Sequence, residues 1–167
     1  VTLMRSSDLK VFDISRENQS LRARYGDHAF GQGCLLARRL SGSGVRSVEV
    51  QLGGWDTHQD NFQRVQSNTA ILDQAVSALI GALHESGMLE ETLVVLTTEF
   101  GRTPKINQNA GRDHYPKAFS AMLAGGGVKG GFVYGKTDEK GSEPVENPVT
   151  IGDFNATKFE PLSVSSI

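Results

Sequence analysis

Two clusters of chemically capable side chains stand out, each following a strand-like run. Gly53-Gly54-Trp55-Asp56-Thr57-His58 follows Val45–Leu52. Glu99-Phe100-Gly101-Arg102-Thr103-Pro104 follows Thr92–Thr98 and leads to Gly111-Arg112-Asp113-His114-Tyr115-Pro116. Carboxylates and imidazoles gathered in one place are the donor set of a Zn, Mn or Fe site, or of an acid/base centre. Asp56 and His58, two positions apart, point to the same side of an extended segment. They can chelate one metal, or the Asp can orient the His as a general base; a capping or surface role is the simpler reading of that triplet alone. Glu99 ends an apolar strand and, if buried, needs a metal, an Arg or a hydrogen-bond partner. Arg102 fits as that partner; equally, its planar fork can bind an anionic substrate and leave Glu99 free for a cation. Asp113 and His114 suit a site or a loop hydrogen bond equally well. His84 reads as solvated and His28 as acting near the start of a helix. There is no Gly-x-Ser-x-Gly elbow, and Thr57 and Thr103 are the only Ser or Thr residues within the clusters, so no nucleophile is identified.

The elements that must position these residues are legible in outline. Val1–Arg24 reads as short helices or an arm, with Leu3, Met4, Leu9, Val11, Phe12 and Ile14 as candidate buried positions. Asp27–Gly44 carries a helical stripe of Cys34, Leu35, Leu36, Ala37 and Leu40, with Gly42 and Gly44 as stop signals and Arg38 and Arg39 as a solvated flank. Val45–Leu52 is β-branched and nearly alternating, as a strand would be. Ser67 or Asn68 can cap a helix bearing Ile71, Leu72, Ala75, Val76, Leu79, Ile80 and Leu83, ended by Gly87. Thr92–Thr97 reads as a strand covered on both faces. Strand, helix and strand over roughly fifty residues predict a right-handed parallel βαβ unit, which would set both clusters on one sheet edge. Ala118–Ala124 is a further strand. Gly125-Gly126-Gly127 reads as a turn rather than a phosphate loop, lacking the Walker spacing. Phe132–Gly135 reads as a short strand and Thr137–Asn147 as a polar turn. Asp153 is a candidate cap for a terminal helix.

At 167 residues the chain fits a single domain. Its 38% hydrophobic and 22% charged residues argue against disorder. Seventeen Lys and Arg against nineteen Asp and Glu leave a net charge of -2, with no broad basic field for nucleic acid. A single cysteine, Cys34, excludes an intrachain disulfide and a thiolate zinc knuckle, and reads as a buried thiol. No stretch approaches the ~20 apolar residues of a membrane span.

Taken in order, Gly33–Leu40, Gly54–His58, Thr98–Pro104 and Gly111–Pro116 closely resemble the DUF1501 family, a bacterial family of unassigned activity. The resemblance runs from about Phe12 to Thr157 and ends on Asp153-Phe154-Asn155-Ala156-Thr157. That family is placed with alkaline phosphatases, sulfatases and cofactor-independent phosphoglycerate mutases. The resemblance therefore implies an α/β fold, an alkaline phosphatase-like α/β/α sandwich in part, with a mostly parallel sheet. It also implies that residues 1–167 form the C-terminal portion of a longer protein, exported to the periplasm or beyond, with the nucleophile segment lying upstream. The implied activity is metal-dependent hydrolysis of a phosphate or sulfate ester, small or carried on a glycan; the competing class is a non-catalytic exported binding protein. By the same resemblance Asp56, His58, Glu99 and His114 would hold a divalent metal, with Zn, Mn, Ca and Mg not distinguished. Arg102, Arg112 and Asp113 would face the anion. Phe100 stands where the superfamily places a histidine ligand.

Overall fold

The computed structural model describes the backbone of residues 7–163 and the side chains of residues 9–157; Leu3, Met4 and the extreme C-terminus lie outside them. Among the described residues four α-helices are formed: α1 (Gln19–Tyr25), α2 (Ala29–Gly42), α3 (Asn61–Glu85) and α4 (Ile151–Ser163). Six short strands follow α3: β1 (Val94–Leu96), β2 (Gly101–Arg102), β3 (His114–Tyr115), β4 (Met122–Ala124), β5 (Lys136–Thr137) and β6 (Pro144–Glu146). Among the described residues no helix is long and apolar enough to cross a membrane. The chain divides into two compact units. One contains the residues up to Asp56 together with Gln63–Met88; the other contains Thr57–Phe62 and the residues from Leu89 on.

The first unit is helical. The Asn18 side chain accepts from Leu21 N at 2.7 Å and starts α1, and Gly26, at φ 75°, ends it. His28 starts α2 by accepting from Phe30 N through Nδ1 at 3.1 Å, the role expected near that helix start. Tyr25, Phe30, Cys34 and Leu35 pack in one cluster with Ala75, Ala78 and Ala82 of α3. Those three alanines recur at spacings of three and four and so share one helix face. Arg38 and Arg39 are not a solvated flank. Glu17 Oε1 accepts from both at 3.0 and 2.6 Å, and Arg39 also donates to the carbonyls of Lys10 and Val11. Among the described residues before α1 the chain makes two 3-10 turns, Ser7–Phe12 and Ile14–Arg16. Ile14 packs on the core, whereas Leu9 and Phe12 are exposed, contrary to their apolar character.

The expected α/β/α sandwich with a mostly parallel sheet is not what forms. Every strand pair among the described residues is antiparallel and two-stranded: β1 with β4, β2 with β3, β5 with β6. Residues 45–52 join no ladder. Their alternation survives, with Val50 and Leu52 packed on the helical core. The carbonyls just beyond them are held by α3 side chains instead of a neighbouring strand. Asn68 Nδ2 donates to Gly53 O at 3.2 Å and Arg64 Nη1 to Asp56 O at 3.0 Å. α3 itself starts at Asn61, ahead of the expected caps Ser67 and Asn68. β1 takes β4 as its partner, in the register Val94↔Ala124, so the βαβ unit is never closed.

In the second unit, Gly125, Gly126 and Gly127 all have positive φ and form the turn expected of them. A Cβ on Gly125 would overlap the carbonyls of Leu89 and Thr92, so only glycine lets the backbones approach. Phe132–Gly135 is not a strand; the hairpin forms later, between β5 and β6, within the segment read as a polar turn. At α4 the reciprocal capping bonds run between Thr150 and Asp153. Asp153 Oδ2 accepts from Thr150 N and Thr150 Oγ1 accepts from Asp153 N, so Asp153 closes a capping box rather than standing first in it.

Candidate functional site

The site is assembled in the second unit by two chain segments far apart in sequence. Thr57–Phe62 lies against the loop that joins β2 to β3. Arg112 N donates to Thr57 O at 2.9 Å, Asp60 N to Asn109 O at 3.2 Å and Asn61 N to Ala110 O at 3.0 Å. The Thr57 hydroxyl, fully buried, donates to Asn61 Oδ1 at 2.7 Å and fixes the segment internally. Gly111 is buried against the His58 backbone so closely that a Cβ there would overlap the His58 carbonyl.

Asn107 organises the loop. Its Oδ1 accepts from the backbone N–H of Asn109 and of Gly111, both at 2.9 Å. Its Nδ2 donates to His58 O at 2.9 Å and to Asp113 Oδ1 at 3.1 Å. Thr103 N donates to Asp113 O at 2.9 Å, and Asp113 N to Thr103 Oγ1 at 3.1 Å, which closes the loop at its base.

This frame brings His58, Asp113 and His114 together. His58 Nδ1 lies 2.7 Å from Asp113 Oδ1. Because a carboxylate oxygen can only accept, Nδ1 carries the proton, and in the neutral ring Nε2 presents its lone pair. The Asp113 carboxyl is held below its ordinary range first by the His58 hydrogen bond, then by that from Asn107, against a smaller opposing effect of burial. His58 Nε2 lies 3.1 Å from His114 Nε2, with the ring centroids 4.8 Å apart. Two imidazole nitrogens on one tetrahedral Zn stand roughly 3.3 Å apart at ordinary bond lengths of ~2.0–2.1 Å, so this spacing fits a shared metal. Without a metal, one ring would have to donate N–H to the other.

The remaining expected residues are placed as follows. Asp56 is exposed and stands two residues before His58 on the chain. Glu99 is exposed in the bend between β1 and β2. The Phe100 ring lies tilted on His114, with centroids 4.4 Å apart, and the Arg102 guanidinium carbon lies over the Phe100 ring, 5.8 Å from its centre. The Arg112 guanidinium donates to the carbonyls of Thr103 and Pro104 at 2.7 and 2.6 Å, and Arg102 Nη1 reaches Arg112 O at 3.4 Å. Both arginines thus brace the loop.

A family model described as a protein of unknown function, DUF1501, matches residues 1–166. The chain belongs to the DUF1501 family. No curated protein and no solved structure gives a significant match. In this DUF1501 chain the residues that sequence reasoning passed over are Asn107 and Asn61. The run Asn107-Gln108-Asn109-Ala110-Gly111 did carry a signal, because Asn side chains fold back on nearby N–H groups in turns. That signal announces a turn; it does not say that the same amide also holds His58.

Proposed function

We propose that the DUF1501 chain is a divalent-metal-dependent hydrolase of phosphate or sulfate esters, with His58 and His114 as metal ligands. The observation that supports this reading is the Asp113–His58 pair. A carboxylate fixing Nδ1–H and leaving Nε2 turned toward a second imidazole nitrogen is the arrangement in which histidine ligates metals. Asp56, two residues up the chain from His58, supplies a carboxylate for a third position. When bound, the metal would supply Lewis acidity toward a phosphoryl or sulfuryl oxygen and activate water. The protein's own part is to hold the two imidazoles. Asp113 orients His58, Asn107 ties His58 O to Asp113, and Phe100 packs on His114.

Titration of the full chain with zinc chloride tests the reading, followed by hydrolysis of p-nitrophenyl phosphate and p-nitrophenyl sulfate. Stoichiometric binding that His58→Ala and His114→Ala each abolish, with hydrolysis that needs the metal, is expected. No metal binding by the wild-type chain would overturn the proposal. Metal binding without turnover of any ester would move the chain to the binding-protein class.

A further inference from the structure

With Arg102 and Arg112 engaged on backbone carbonyls, the loop presents another cation. A recess of about 560 Å³ opens on the β2–β3 loop, lined by Thr103, residues 105–109 and Asp113. It shares Asn107 and Asp113 with the network that orients His58. Lys105 stands on its wall, exposed, and makes no ion pair among the described residues. Gln108 and Asn109 add exposed amides, and Ile106, 44% exposed, an apolar surface.

The wall is a fixed surface. Thr103 Oγ1 donates to Lys105 O at 2.8 Å, Asn107 N to Gly111 O at 2.9 Å, and Arg112 clamps the carbonyls of Thr103 and Pro104. A loop whose backbone is held at both ends loses little entropy when its side chains bind, which favours recognition. The charges are also divided. The recess carries one carboxylate, Asp113, whose Oδ1 accepts from His58 and Asn107, and one cation, the Lys105 ammonium. Amides beside an apolar patch suit a hydroxyl-bearing body, since they can donate to and accept from hydroxyls.

We infer that this recess is the substrate subsite of the proposed hydrolase, taking an anionic ester on a small hydroxyl-bearing body, with Lys105 holding the anionic group. The inference rests on the hydrolase reading for the word substrate, but the binding it describes can be measured without turnover. Calorimetry with inorganic phosphate and with glycerol phosphate, on the full chain with and without zinc, reads it directly. Lys105→Gln is expected to weaken both ligands about ten-fold, the scale of a lost hydrogen bond to a charged group, while Lys105→Arg restores most of the affinity and zinc binding is unchanged. Gln108→Leu is expected to weaken glycerol phosphate but not inorganic phosphate. Phosphate binding that is indifferent to Lys105→Gln in a chain that still binds zinc overturns this inference and leaves the metal reading intact. Lys105-dependent binding in a chain that takes up no zinc does the reverse. If glycerol phosphate binds no differently after Gln108→Leu, the hydroxyl-bearing body is excluded.

Discussion

Asp113 is the residue on which the candidate site turns, because it decides which His58 nitrogen is left with a lone pair. Asp113→Asn keeps the shape but replaces an ionised acceptor by a neutral amide, and is expected to cost roughly ten- to a hundred-fold in zinc affinity, as lost partners of ligating histidines do. Zinc titration of that variant, with an unchanged melting curve as control, checks it. In the first unit Tyr25 is 1% exposed and its hydroxyl has no hydrogen-bond partner among the described residues. Removing an unsatisfied buried hydroxyl relieves its desolvation penalty, so Tyr25→Phe is expected to stabilise the chain by about 1 kcal/mol in a denaturant titration. At this scale the sequence was informative where residue type limits chemistry. A histidine beside an aspartate, or two residues after one, has few functions and is noticed. An arginine reads alike whether its partner is a substrate anion or a backbone carbonyl, so the sequence does not show that Arg102 and Arg112 also donate to carbonyls of their own loop. Asn107 went unseen because its work lies in contacts across 49 residues of chain.

Among the elements, helices were legible and pairings were not. The stripes of α2 and α3, the stop at Gly87 and the His28 cap are local patterns, written within a few residues of where they act. The start of α3 was misplaced because Asn61 opens the helix while held by Thr57 and by the carbonyl of Ala110. Residues 45–52 have the composition of a strand, but a strand is completed by its neighbour, and here helical side chains satisfy the adjoining carbonyls instead. The β2–β3 loop is the element where this matters most. Gly111→Ala would drive a methyl group into the His58 carbonyl and is expected to destabilise by about 1–3 kcal/mol, typical of overpacking at a tight contact. The measurement is a denaturant titration together with the His58 ring resonances, which should lose their Asp113-bonded signature if the two backbones are forced apart.

For the molecule as a whole, two buried acids tie stability to alkaline pH. Burial pushes the Cys34 thiol up to about 11 and, as its largest influence, the Tyr25 phenol up to about 12. Each ionises more readily once unfolded, from 9.0 and 10.0 respectively. The unfolded chain therefore binds fewer protons above those values, and stability should be intact below pH 9 and fall as pH rises from 9 to 12. Melting curves across that range check the fall, and Tyr25→Phe should blunt its upper half. The same thiol should resist an aromatic disulfide reagent in the native chain and react once the helical core opens.

The six residues Thr57–Phe62 leave the first unit, lodge in the second and return. That excursion sets an order on synthesis. A ribosome delivers His58 and must then add more than fifty further residues before Asp113 and His114 exist to receive it. Until then Thr57 and Asn61 have only each other, and the backbone groups around His58 face water. The site is thus a property of the finished chain, and a growing chain can build the helical core while carrying a histidine with nothing yet to hold.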